Sequence, residues 1–139
     1  MKSDSNRARV TIREVMTSHV RTAGPDHSLR EVWRILSDER CHHLPVVEGS
    51  RPVGMISTRD LVRVARRNGS AKLADGLYGS ETAADVMTRG LETIYADEPV
   101  EAAIDRIGVG DFHALVVLDD DENLVGIVTN HDLLHYLAN

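Results

Sequence analysis

Two segments of this sequence carry the residue types that could hold a small anionic or polyhydroxyl ligand: Gly54-x-x-Ser57-x-x-Asp60 and Gly126-x-x-Thr129-x-x-Asp132. Each stands where an apolar, Val-rich run gives way to a helical pattern. The first backbone N–H groups of a helix lack internal partners and attract anions. A hydroxyl there can accept from those groups or donate to a phosphate, and a carboxylate three residues later can accept two hydrogen bonds from a vicinal diol. The same spacing also makes a capping box, in which hydroxyl and carboxylate only close the helix end. The residues alone leave both readings open.

Other groups near these segments are less specific. His42 and His113 occupy equivalent places just before apolar runs, where a histidine is either a strand-edge residue or a contact to an anion. His42 and His43 are poor joint metal ligands, because adjacent strand residues face opposite ways and no acidic partner is indicated. Arg59, Arg63, Arg66 and Arg67 flank Asp60, whereas His131, His135, Ala138 and Asn139 flank Asp132. Arginine offers a permanent forked contact and histidine only a partial charge, so the Asp60 site should prefer the more phosphorylated ligand, and the Asp132 site a monophosphate or nothing. Alternatively these arginines decorate a solvated face. No general acid and base pair, activated nucleophile or Gly-rich phosphate loop stands out, so catalysis is not expected.

The elements that position these residues follow from an internal repeat. A shift of 71 places Thr11-Ile-Arg-Glu14-Val-Met-Thr17 on Thr82-Ala-Ala-Asp85-Val-Met-Thr88, and His43-Leu-Pro-Val46 on Ala114-Leu-Val-Val117. After one inserted residue, a shift of 72 places Val53-Gly-Met-Ile-Ser-Thr-Arg-Asp-Leu61 on Val125-Gly-Ile-Val-Thr-Asn-His-Asp-Leu133. Thr11 with Glu14 and Thr82 with Asp85 predict a short capped helix, followed by a short extended segment. Leu29, Val32, Trp33 and Leu36, and likewise Val100, Ala103, Ile104 and Ile107, have helical spacing with one buried stripe. Trp33 reads as core. Two Val-rich runs then form a hairpin across Glu48–Pro52 or Asp119–Asn123. The second turn lacks the spaced ligands and glycine of a calcium loop. A closing helix follows each hairpin. The expected fold is α/β (α+β): two β-α-β-β-α repeats, 9–69 and 82–138, joined by a connector at 70–81 and packed about a pseudo-twofold axis as one module.

Composition sets outer limits. The chain has 139 residues, 42% of them hydrophobic and 27% charged, enough for one domain or two half-sized units sharing a core. The single cysteine, Cys41, excludes an internal disulfide and a cysteine-based zinc site. The opening MKSDSNRARV has no apolar core of signal-peptide length, and the longest apolar run, Ala114–Leu118, cannot span a bilayer. A cytoplasmic protein without membrane contact is expected. The net charge of −6 conceals a division: residues 1–70 hold 13 Lys+Arg against 8 Asp+Glu, and residues 71–139 hold 3 against 14. Those oppositely charged halves either aid solubility and pairing or provide an anion site. Nucleic-acid binding is disfavoured, because the arginines lack interleaved aromatics and the net charge opposes it.

The doubled Val-Met-Thr, the His-His-Leu-Pro-Val-Val and His-Ala-Leu-Val-Val runs, and the Val-Gly-Met-Ile-Ser-Thr-Arg-Asp-Leu and Val-Gly-Ile-Val-Thr-Asn-His-Asp-Leu segments together resemble a tandem pair of CBS domains. The resemblance covers residues 9–138. It implies a regulatory module binding AMP, ADP, ATP, S-adenosylmethionine or a related adenosyl ligand in clefts between the repeats, with no other cofactor. On that resemblance, Asp60 and Asp132 hold ribose hydroxyls, and Ser57 or Thr129 reaches ribose or phosphate. Thr58, Arg59, Asn130 and His131 line the same helix starts. Thr22, His43, Leu44 and Pro45, and Thr93, Ala114 and Leu115, edge the adenine slot. His42 and His113 face phosphate. The resemblance further implies a homodimer; either the dimer interface or an effector protein is expected to read the bound state. The rival expectation is a ligand-free interaction module whose two motifs only cap helices.

Overall fold

The computed structural model describes residues 9–39, 42–69, 77, 79–109 and 114–138. His113, Cys41 and most of the expected connector at 70–81 lie outside the described residues. The elements, in chain order, are α1 (Ile12–Val15), α2 (Leu29–Glu39), β1 (His43–Glu48), β2 (Arg51–Ser57), α3 (Thr58–Arg67), α4 (Ala83–Val86), β3 (Thr93–Tyr95), α5 (Val100–Val109), β4 (Ala114–Leu118), β5 (Leu124–Thr129) and α6 (Asn130–Ala138). Among the described residues, no helix is long and apolar enough to cross a membrane.

The two repeats fold alike in detail. β1 and β2 pair antiparallel, with His43 opposite Ser57, and β4 and β5 do the same, with Ala114 opposite Thr129. Both hairpins carry a register shift at the same place, between Val46 and Val47 and between Val117 and Leu118. In the second repeat β3 runs parallel to β4, Thr93 beside Val116. In the first repeat the corresponding strand shrinks to one bridge, Ala23 beside Val46. The cause is visible in the sequence. Ala96 and Val116 extend the ladder at its two ends by donating their N–H groups to the Leu118 and Glu92 carbonyls, each at 2.9 Å, and their counterparts are Pro25 and Pro45, which have no N–H to give.

The helix stripes are buried as their spacing requires. Leu29, Val32 and Leu36 join Leu44, Val46, Ile56 and Leu61 in one core, with Trp33 partly buried against it. Val100 and Ala103 join Ile94, Leu115, Val117, Val128 and Leu133 in the other, with Ile104 and Ile107 at its margin. Each core depends on hydrophobic area that one amphipathic helix and one hairpin can bury only together.

The compact units cut across the sequence repeats. One comprises residues 21–91, and the other joins the N-terminal segment to residues 92–139. The short helix that opens each repeat therefore packs on the body of the other repeat. α1 of the first repeat donates from Ile12 and Arg13 to the carbonyls of Glu98 and Ala96 at 2.9 and 3.0 Å. Thr17 then pairs with Ile127 of β5 through two backbone hydrogen bonds, 2.8 and 3.0 Å. α4 of the second repeat donates from Ala83 and Ala84 to His27 and Pro25 at 2.9 and 3.0 Å, and Thr88 pairs with Met55 of β2. The glycines opposite make room: a Cβ on Gly54 would lie 2.2 Å from the Met87 sulfur, and one on Gly126 would lie 2.5 Å from the Met16 sulfur.

Candidate functional site

Each unit brings one set of the expected site residues together. In the unit of residues 21–91, the end of β2 runs directly into α3. Ser57 is the N-cap, extended at φ −112°, and the Asp60 carboxylate reaches back to it. Asp60 Oδ2 accepts from the Ser57 N–H at 2.8 Å and from the Ser57 hydroxyl at 3.1 Å, while the Asp60 N–H donates to that hydroxyl at 3.3 Å. The second oxygen, Oδ1, faces Arg63 Nη1 at 3.4 Å. Register places His43 beside Ser57, and the Thr58 N–H donates to the His42 carbonyl at 3.1 Å. Thr22 immediately precedes Ala23, which pairs with Pro45 and Val47. Thr22, His43, Ser57, Thr58 and Asp60 are half-buried, Pro45 is buried, and His42 and Arg59 are exposed.

The second unit repeats the plan at the junction of β5 and α6. Asp132 Oδ2 accepts from the Thr129 N–H at 2.9 Å and the Thr129 hydroxyl at 3.2 Å, and the Asp132 N–H donates back at 3.2 Å. The Thr17 hydroxyl donates to Asp132, nearer to Oδ1 at 3.1 Å than to Oδ2 at 3.4 Å. Ala114 sits beside Thr129 in register, and Thr93 neighbours Val116 across β3 and β4. Asn130 and His131, at the start of α6, are exposed.

Both motifs are therefore genuine capping boxes, and capping engages chiefly one oxygen of each carboxylate. The other is held by a side chain that a ligand could replace. Capping and ligand binding are compatible in this geometry rather than exclusive. Leu44 and Leu115 are completely buried members of the two cores, so they support the floor beneath each site.

Three partners were not legible beforehand. Thr17 entered the sequence comparison only as the end of a repeated helix motif, and nothing in its spacing ties it to Asp132. Arg106 donates to the Thr93 carbonyl and, at 2.9 Å, to Glu92, pinning β3 at its exposed edge; the corresponding first-repeat residues are Ile35 and Arg21. Arg67, expected among the phosphate-facing arginines, instead grips both oxygens of Glu81 at 2.7 Å. Arg59, Arg63 and Arg66 remain exposed along α3.

The CBS domain profile matches residues 12–67 and 83–139. The chain is 28% identical over 123 residues to a homoserine O-acetyltransferase of Methanohalobium evestigatum, covering 88% of this chain and 23% of that one. It is equally similar, 28% over 123 residues, to an L-aspartate semialdehyde sulfurtransferase of Methanocaldococcus jannaschii, of which it covers 22%. The chain thus spans less than a quarter of the length of these two relatives. Among solved structures, a CBS domain pair in complex with 5′-methylthioadenosine and S-adenosyl-L-methionine matches with a TM-score of 0.78 at 25% identity, over 94% of this chain and 97% of that one. The fold is also that of CBSX2 from Arabidopsis thaliana, with a TM-score of 0.81 at 24% identity over 94% and 95% of the two chains. With a profile match in each repeat and the same strand-to-helix junction built twice, the chain belongs to the CBS domain family as a tandem pair.

Proposed function

We propose that this chain is a regulatory module that binds adenosyl ligands, with Asp60 and Asp132 as the ribose-binding carboxylates. The observation that carries the reading is the state of the two acids. Each fixes Oδ2 by its own helix cap and presents Oδ1 to a replaceable side chain, Arg63 in one unit and Thr17 in the other. An oriented carboxylate oxygen of this kind can accept the hydrogen bonds of a vicinal diol. The likeness to a CBS pair solved with 5′-methylthioadenosine and S-adenosyl-L-methionine supports the adenosyl class. Arg59, Arg63 and Arg66, exposed beside Asp60, support a phosphorylated ligand there, among them AMP, ADP and ATP. Binding acts as a signal when the ligand has different affinity for two states of the module or of its assembly. Homodimerisation is part of the reading, supported by Val62, Leu134 and Leu137, which stay exposed on α3 and α6.

Thermal unfolding with AMP, ADP, ATP, 5′-methylthioadenosine or S-adenosylmethionine tests it. A ligand at about 100 times its Kd stabilises the folded chain by about 2.7 kcal/mol. Asp60→Asn and Asp132→Asn together should remove that increment. An increment that survives the double substitution assigns the ligand elsewhere. No increment with any adenosyl compound favours the ligand-free interaction module.

A further inference from the structure

The two carboxylates are equivalent in the repeat and capped alike, yet the group on the outer oxygen differs in charge. Asp60 Oδ1 faces the Arg63 guanidinium at 3.4 Å, and Asp132 Oδ1 holds the neutral Thr17 hydroxyl at 3.1 Å. The position matching Arg63 in the second repeat is His135, and that matching Arg59 is His131. The surroundings follow the same division. The unit of residues 21–91 has eleven Lys+Arg against nine Asp+Glu, net +2; the unit holding Asp132 has five against thirteen, net −8.

A ribose diol that takes Oδ1 displaces the resident group, and the consequence differs between the sites. At Asp60 the displaced guanidinium keeps its full charge and sits one helical turn away on α3, within reach of an anionic substituent on the ribose 5′ carbon. A charge-assisted contact of that kind discriminates by about tenfold or more. At Asp132 the displaced hydroxyl brings no charge, and the negative field of its unit opposes a phosphate while favouring a cation.

We propose that the two carboxylates sort adenosyl ligands by the charge of the 5′ substituent: Asp60 takes the phosphorylated ligand, and Asp132, where the sequence alone suggested a monophosphate or nothing, takes the sulfonium cation. This rests on the ribose reading above and adds a separate specificity to each carboxylate. The sorting lets one chain report two classes of adenosine compound through separate acids.

Calorimetric titration of AMP, 5′-methylthioadenosine and S-adenosylmethionine into the full chain and single variants tests it, with circular dichroism as the check on folding. AMP affinity should fall at least tenfold in Asp60→Asn and in Arg63→Gln, and stay within twofold of the parent in Asp132→Asn. S-adenosylmethionine should show the reverse dependence, and neither it nor 5′-methylthioadenosine, uncharged at that position, should be weakened by Arg63→Gln. If AMP and S-adenosylmethionine are lost together on the same single substitution, or if Arg63→Gln leaves AMP affinity unchanged, the sorting is wrong and the ribose reading stands. If no adenosyl compound binds the parent chain, the ribose reading itself falls and the sorting with it.

Discussion

The hydroxyl of Thr17 donates to the carboxylate of Asp132 at 3.1 Å across a separation of 115 residues. A residue of the first repeat thereby completes the candidate site of the second. Its backbone is fixed independently by the two hydrogen bonds to Ile127. Thr17→Val keeps that bridge and removes only the side-chain contact. Because the contact is exposed, the expected loss is at the low end of the range for one hydrogen bond, about 0.5 kcal/mol in urea unfolding. A loss several times larger would mean that the segment is held by its hydroxyl rather than by its backbone.

The glycines of the two motifs should tolerate alanine unequally. At Gly54 the nearest atoms to a new Cβ all belong to the Met87 side chain, whereas at Gly126 they include the Met16 sulfur and the Thr17 carbonyl at 2.8 Å. A methionine can change rotamer, but a carbonyl paired with Ile127 cannot move without breaking the ladder. Both substitutions overpack, at about 1–3 kcal/mol. Gly126→Ala should be the more damaging in thermal unfolding, and equal effects would mean that the N-terminal segment yields as readily as a side chain.

Ile12 tests the exchange of opening helices between repeats. It is fully buried in the core formed by Ile94, Leu115, Val128 and Leu133, all second-repeat residues. Ile12→Ala should cost about 2–5 kcal/mol. Amide hydrogen exchange should show the lost protection in β4 and β5 ahead of β1 and β2. Loss confined to β1 and β2 would contradict the exchanged packing.

The turn joining β4 and β5 should weaken in acid. Asp119 Oδ1 accepts from the backbone N–H groups of Asn123 and Asp121, both at 2.9 Å, and these bonds, Asn123 first, hold its pKa below the usual carboxylate value. A depressed folded-state pKa contributes stability above the unfolded-state value, and that contribution disappears as pH falls through the folded value. Asp119→Ala should therefore be less stable than the parent chain near neutrality, with the difference closing below about pH 4. A pH-independent difference would assign the effect to turn geometry alone.

Much of the architecture was legible because it is written in local spacing. The stripe of Leu29, Val32 and Leu36, the apolar runs of the hairpins, and the hydroxyl and acid three residues apart each follow from one element's own geometry. What local spacing does not encode is which element covers which. The face of Ile12 announces burial but names no partner, so the exchange of opening helices could not be read, nor could the contact of Thr17 with Asp132 that depends on it. The shortened first strand was readable in principle, since Pro25 stands where Ala96 must donate. Arg67 looked like a phosphate ligand because its helix face points with Arg63; Glu81 captures it from a segment whose path the repeat pattern does not specify.

Titration of adenosyl ligands into the parent chain and into the folded Asp60→Asn/Asp132→Asn variant tests the functional account most directly. The parent should bind at least one of AMP, ADP, ATP, 5′-methylthioadenosine and S-adenosylmethionine, and the double variant should bind none. Unchanged affinity in the double variant would contradict the assignment of these carboxylates to ribose.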